Sequence, residues 1–315
     1  MTDILAVCHG GRLEPECSFL AWSIKKYVRG DYTFHIAIPE PSKHILPVKK
    51  QTLCILEKLG CQVFYFKNEF VEKRESLVKG DLTSNKLFAL GKHFKGSHVV
   101  FLDSDTVFTR EIEIHKLIKG HPLQAVVAKR NDSVKWAALF KYFFPEKCEN
   151  KVPEFLNAGV LVFENKFLEN ILKEWESVFS QLSNKLLINK KLYPVFFRDQ
   201  IALSLALQAK KIETGFLCPE YNYTKILLPN KKKMPVIMHY HHPAVICINF
   251  FLRRQFDEFA ASCLPDNNNL PLAWKILASK GIIAKGILVV QYIYRVIISR
   301  IRKEICPYWF NRSVL

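Results

Sequence analysis

Asp103 and Asp105 stand two positions apart at the end of the apolar run Val99–Leu102. In an extended chain, residues i and i+2 face the same side. The spacing therefore predicts two carboxylates converging at a strand end. Neighbouring carboxylates repel each other and call for a cation. An oxygen-rich site suits a hard divalent ion such as Mg²⁺ or Mn²⁺, which in turn attracts phosphate oxygens. A plainer reading is a tight turn, in which Asp side chains bond their own backbone. Ser104, between the two, shares either role.

Three further groups carry polar side chains at places where chemistry is done. His9-Gly10-Gly11-Arg12 follows the apolar run Ile4–Cys8. Glycines there permit a ligand to approach the backbone, or make a turn. Asn157-Ala158-Gly159 sits inside the apolar stretch Phe155–Phe163. Its amide offers both donor and acceptor; its small neighbours suit either a ligand or a packing point. Asp199-Gln200 opens a helical pattern running from Arg198 to Ala209, where Asp199 is a capping carboxylate or a working one.

The elements that must hold these groups follow from hydrophobic patterning. Ile4–Cys8, Tyr32–Ile38, Cys61–Phe66, His98–Leu102 and Gln124–Lys129 read as buried strands. Ser18–Val28, Pro47–Leu59, Ser84–His93, Phe167–Leu182 and Arg198–Ala209 read as helices, and Val236–His239 as a last short strand. Strands alternating with helices imply βαβ units and a mostly parallel sheet. Ligands bind such sheets beyond the carboxyl ends of the strands, which is where His9, Gly10 and the Asp103–Asp105 turn fall.

Two metal-dependent families share an Asp-x-Asp turn. Asp103-x-Asp105-x-Val107 is similar to the first motif of haloacid-dehalogenase-type phosphatases, in which the first Asp is a nucleophile. That motif sits near the N-terminus and is followed by an acidic pair such as GDxxxD, and no such pair follows Asp105. The fuller resemblance is to GT-A glycosyltransferases of the glycogenin-like and lipopolysaccharide glucosyl- and galactosyltransferase group. Asn85-Lys86-Leu87, Leu102-Asp103-Ser104-Asp105, Phe155-Leu156-Asn157-Ala158-Gly159-Val160, Arg198-Asp199-Gln200 and His239 match its motifs in order. The family's HxxGxxKPW reads HYHHPAVI from His239, so His239 or His241 fills the histidine position; His239 directly follows the strand.

The resemblance implies a GT-A, Rossmann-like fold and transfer of a sugar from a nucleotide-diphosphate donor, UDP-linked in this group, to a hydroxyl acceptor. It implies Mn²⁺ or Mg²⁺ held by Asp103, Asp105 and His239, with His241 as alternative. His9, Gly10, Lys86, Ser104, Ala158 and Gly159 would line the donor. Asn157, Asp199 and Gln200 would face the sugar and the acceptor. The catalytic domain is expected over 1–263, a linker over 264–271, and a helical extension over 272–315.

Composition bounds the rest. The chain has 315 residues, 49% of them hydrophobic, with 24 Phe, which excludes wholesale disorder. Lys and Arg number 46 against 29 Asp and Glu, a net charge of +17 that favours polyanionic partners. A non-enzymatic basic protein binding nucleic acid or membrane would explain that charge and nothing else, so no nucleic acid is expected. Nine scattered cysteines without a CxxC pair suggest neither a disulfide framework nor a zinc knuckle and suit a reducing, cytoplasmic setting. MTDILAVCHGG reads as a first strand rather than a leader. The triplets at Asn131, Asn222 and Asn311 are then idle as glycosylation sites. The extension carries eight basic residues and one acid. On a helical wheel, Lys280, Arg295 and Arg302 oppose Ile283, Val290, Ile293, Tyr294, Ile297 and Ile301. Such a helix lies in an anionic membrane interface or docks on the domain; a lipid-linked acceptor favours the first.

Overall fold

The structure is a computed structural model, and it describes residues 1–73, 81–128, 141, 145, 154–186, 198–224, 234–264, 272–278, 285–287, 289–290 and 292–294. The chain opens with β1 (Thr2–Val7), α1 (Leu13–Tyr27), β2 (Val28–Arg29), β3 (Tyr32–Pro39), α2 (Lys50–Lys58), β4 (Gln62–Phe66), α3 (Glu69–Glu72), α4 (Asn85–Leu90) and β5 (His98–Leu102). It continues through β6 (Thr106–Phe108), β7 (Ile112–Glu113), β8 (Leu123–Val127), β9 (Leu156–Glu164), α5 (Asn165–Leu186), α6 (Arg198–Ala209), β10 (Thr214–Phe216) and β11 (Ile237–His239). Then come α7 (Pro243–Ile248), α8 (Phe250–Cys263) and α9 (Leu272–Ala278).

Seven strands form one sheet in the order β10-β8-β9-β5-β1-β3-β4. Only β9 runs against its neighbours; the other pairs within this sheet are parallel. This is the mostly parallel, helix-flanked α/β sheet that the sequence predicts. Both faces of β1 are buried, as its unbroken apolar run requires. Leu5 and Val7 join one core layer; Ile4, Ala6 and Cys8 join the other. Helix α6 is apolar nearly all round and buried nearly all round, as such helices must be.

Local differences from the expected elements have physical causes. Helix α1 begins at Leu13, five residues before the expected Ser18, and takes in Pro15. Proline is tolerated there because a first-turn N–H has no intrahelical partner. Strand β6 has no separate signal in the sequence. It exists because β11 pairs with it, antiparallel, placing Thr106 opposite His239. Strand β9 leaves the β8 register between Ala125 and Val126, so that Val126 faces Asn157 while Ala125 faces Leu161. Such irregularities re-aim a strand locally, and this one falls on Asn157-Ala158-Gly159.

The chain divides into two compact units. One comprises Met1–Thr224 with Lys232–His239; the other comprises Lys225–Lys231 with Tyr240–Leu315. Within the second, Trp274 of α9 is buried and packs at 5.5 Å from Phe256 of α8. Arg253 donates to the Leu277 carbonyl at 3.0 Å. Of the expected linker 264–271, only Leu264 is among the described residues. Of the expected extension 272–315, these are 272–278 and the helical residues between 285 and 294. Among the described residues no helix is long and apolar enough to cross a membrane.

Candidate active site

The Asp-x-Asp segment leaves β5 as a turn. The Asp103 N–H donates to the Gly159 carbonyl at 2.8 Å, and the Asp103 carbonyl accepts from the Thr106 N–H at 3.0 Å. The Thr106 hydroxyl closes on the same carbonyl at 2.7 Å. The extended geometry expected for the pair is therefore replaced by a turn, because three backbone and hydroxyl groups find partners that way. The carboxylates still meet at one point, and that point is a side chain. His239 Nε2 lies 2.9 Å from an Asp105 oxygen and 3.9 Å from an Asp103 oxygen. The β6–β11 ribbon makes this contact, since it sets His239 beside the residue that follows Asp105.

Lys86 of α4 closes the other side. Its ammonium lies 2.9 Å from Asp103 and 2.7 Å from Asp199. It also donates to the Ala158 carbonyl at 3.2 Å. A lysine has three donors, and here each faces a protein acceptor. Asp199 is held in turn from behind. Trp175 Nε1–H donates to its carbonyl at 2.9 Å. The preceding Arg198 pairs with buried Asp81 and donates to the Ser183 hydroxyl at 3.0 Å. Gln200 accepts a long bond from the Ala158 N–H at 3.4 Å.

Burial and charge oppose each other throughout this cluster. Burial disfavours the imidazolium of His239, but Asp105 and then Asp103 outweigh it and raise its pKa above the ordinary value. Burial likewise works against a charged Lys86, and Asp103 and Asp199 outweigh it, holding the ammonium above the usual lysine range. Asp103 is pushed up by burial, against the pull of Lys86 and His239. Behind Ser104 lies Glu16, fully buried; burial first and Asp105 next push its carboxyl well above the usual range. Its Oε2 accepts from the Ser104 hydroxyl at 3.5 Å.

The glycine of Asn157-Ala158-Gly159 serves the histidine. A Cβ on Gly159 would lie 2.5 Å from two His239 ring atoms. Asn157 accepts from the Gly159 N–H at 2.9 Å and from the Asn222 amide at 2.9 Å. Asn222 reaches His239 Nδ1 at 3.1 Å. Thus Lys86, Asp103, Asp105, Asn157, Ala158, Gly159, Asp199, Gln200 and His239 form one connected cluster, with Ser104 at its edge. His9 and Gly10 are engaged elsewhere. The Gly10 N–H donates to the Leu46 carbonyl at 2.9 Å, and a Cβ there would lie 2.4 Å from the Pro47 carbonyl oxygen. His9 Nδ1 lies 3.0 Å from the Gly10 carbonyl. Gly10 thus lets one backbone approach another. His241 belongs to the second unit and has a left-handed backbone, φ 56°.

Four supporting residues have no motif to betray them: Asn222, Glu16, Asp81 and Trp175. Asn222 carries a sequence mark only as the first residue of an Asn-x-Thr triplet. The donor set of the cluster fits a divalent cation. His239 Nε2 stands 2.9 Å from an Asp105 oxygen and 3.9 Å from an Asp103 oxygen, which offers carboxylate and imidazole donors side by side. That chemistry suits Mn²⁺ or Mg²⁺.

Known proteins place the chain. The Rhodobacterales glycosyltransferase domain matches residues 4–211. No curated protein sequence matches. Among solved structures, an active-site glutamine-to-glutamate mutant of LgtC superposes with a TM-score of 0.57 at 14% identity, over 87% of this chain and 99% of that one. The galactosyltransferase LgtC in complex with donor and acceptor sugar analogues gives 0.55 at 15% identity, over 87% and 99%. The bifunctional glycosyltransferase WbbM gives 0.57 at 16% identity, over 87% of this chain and 50% of WbbM. At these identities the likeness is one of fold, the GT-A arrangement of sheet and helices. With two thirds of its length matched to one domain family, the chain belongs to the Rhodobacterales glycosyltransferase domain family.

Proposed function

We propose that this glycosyltransferase moves a sugar from a nucleotide-diphosphate donor, UDP-linked by its resemblance, to a hydroxyl acceptor. Asp103, Asp105 and His239 would hold Mn²⁺ or Mg²⁺. When bound, that ion supplies a Lewis acid against the charge growing on the leaving diphosphate. The observation that carries the reading is the apposition of His239 with Asp105 and Asp103, which lie more than 130 residues earlier in the chain.

The chain's own groups divide the remaining work. Lys86 ties Asp103 to Asp199 and keeps a cation beside the diphosphate. Asp199 and Gln200 stand at the start of α6, with Asn157 across from them, and would line the donor sugar and the acceptor side. Their placement is rigid because α6 and β9 are buried elements, and preorganised dipoles need not reorganise during reaction. Residues 1–263 would form the catalytic domain.

The acceptor side is proposed to lie near a membrane, at its cytoplasmic face, with a lipid-linked or glycan acceptor. Support comes from the extension. Ile287, Val290, Ile293 and Tyr294 are 45–65% exposed and fall along one helical stripe, in a segment whose sequence is strongly basic.

A panel of nucleotide sugars with Mn²⁺, scored for nucleoside-diphosphate release, tests the activity. Release is expected with one donor. Asp105→Ala should lower turnover by more than about 100-fold, the upper end for a group standing behind a metal ligand. Equal turnover in the two proteins would end the reading.

A further inference from the structure

His239 has two ring nitrogens, and only one can face the carboxylates. Which way the ring faces is decided by the hydrogen bond made at the other nitrogen. The structure contains a chain of bonds that decides it, and the chain starts at a backbone amide.

The Gly159 N–H can only donate. Its partner at 2.9 Å in Asn157 must therefore be the amide oxygen. That same oxygen lies 2.9 Å from the Asn222 amide, so Asn222 presents its NH₂ group there. An amide with its nitrogen committed has only its oxygen left on the other side. That oxygen lies 3.1 Å from His239 Nδ1. Nδ1 must then carry a proton and donate it. That turns Nε2 toward Asp105, whose oxygen lies 2.9 Å away, so a proton or a cation fills the space between them.

The backbone fixes Asn222 in this position. Tyr223 N–H donates to the Ile237 carbonyl at 3.0 Å, and His239 N–H donates to the Tyr223 carbonyl at 2.9 Å. Asn222 is 4% exposed and His239 6%, so water offers little competition for either bond. Gly159 takes part twice: it starts the relay, and its missing side chain makes room for the ring.

We propose that Asn222 is a positioning residue that, oriented by the Gly159 N–H through Asn157, holds the His239 ring by its Nδ1 and presents Nε2 to Asp103 and Asp105. This rests on the metal-holding role proposed for His239. Ligating histidines commonly donate their second N–H in this way, and removing the acceptor lowers metal affinity about 10–100-fold.

The test uses the full-length protein, with Asn222→Ala and Asn222→Asp. Electron paramagnetic resonance titration reads Mn²⁺ affinity, with His239→Ala as reference. Asn222→Ala should bind Mn²⁺ about 10–100-fold more weakly than wild type. Asn222→Asp keeps an acceptor for Nδ1 but loses the donor to Asn157, and should fall between the two. Unchanged Mn²⁺ affinity in Asn222→Ala, with His239→Ala weakened, would overturn the inference. So would equal losses in both Asn222 variants, which would make Asn222 a packing residue. A His239→Ala protein that binds Mn²⁺ like wild type would instead sink the metal reading.

Discussion

At Gly159 the absence of a side chain is a functional feature. The sequence shows a glycine in an apolar strand, which reads equally as ligand access or tight packing. The structure shows that the packing partner is the candidate ligand itself, His239, 2.5 Å from where a Cβ would sit. At Gly10 the close neighbours of such a Cβ are instead the carbonyls of Leu46 and Pro47. Glu16 makes a different point. It is fully buried, and burial with Asp105 nearby raises its pKa far above that of an exposed carboxyl. A raised folded-state pKa means that the folded chain binds the extra proton. The stabilising effect is complete below the unfolded carboxyl pKa and is lost as pH rises through the folded one. Glu16→Gln should therefore melt at a higher temperature than wild type at about pH 8 and at a similar temperature near pH 4. Thermal melts across that range check this. A lower melting temperature for the variant at the alkaline end would show that ionised Glu16 stabilises the fold.

Elements bring the site together by two separate devices. The first is the ribbon of β6 and β11, which carries His239 to the Asp103–Asp105 turn. The second is the start of α6, where Arg198 is pinned by Asp81 and Ser183 and Asp199 by Trp175 and Lys86. Side chains of Arg198 and Asp81 are 2% and 0% exposed. Breaking a buried ion pair from one side costs about 3–5 kcal/mol, because the remaining charge stays desolvated. Asp81→Ala should lose about that much stability in urea unfolding. Its Mn²⁺-dependent turnover should also fall, since the helix start loses its anchor. A loss under about 1 kcal/mol would place the pair in the class of exposed bridges. Strands and helices of this region were legible in the sequence, to within a few residues at their ends. The β6–β11 pairing was not, since three-residue strands carry too little pattern to be told from loops.

Across the whole molecule, positive charge is in excess. The net charge of +17 is more than a nucleotide-sugar site needs, and the extension carries a large share of it. Exposed Ile287, Val290, Ile293 and Tyr294 would enter the interfacial region of a bilayer while basic residues add about 1 kcal/mol each beside anionic lipid. Vesicles containing phosphatidylglycerol should sediment the protein, less so as salt rises. Replacing Ile287 and Val290 by serine should weaken binding by roughly tenfold or more, from the apolar area withheld. Undiminished binding by that double variant, or equal binding to neutral vesicles, would dismiss the membrane proposal.

Sequence alone determined the class of the fold, because continuous apolar runs alternating with amphipathic segments have few ways to bury themselves other than a helix-covered parallel sheet. It also named most of the clustered residues, because each lies at the end of an element, where side chains are free to do chemistry. Tertiary structure alone decided how they meet. Asp105 and His239, Lys86 and Asp199, and Asn157 and Asn222 are each separated by dozens of residues, and their contacts depend on strand register, on one register shift in β9, and on a glycine that leaves space. Local patterning carries no information about such distances. They arise only when buried polar groups must find partners inside a packed interior, where leaving one unpaired costs more than the turn or bulge that satisfies it.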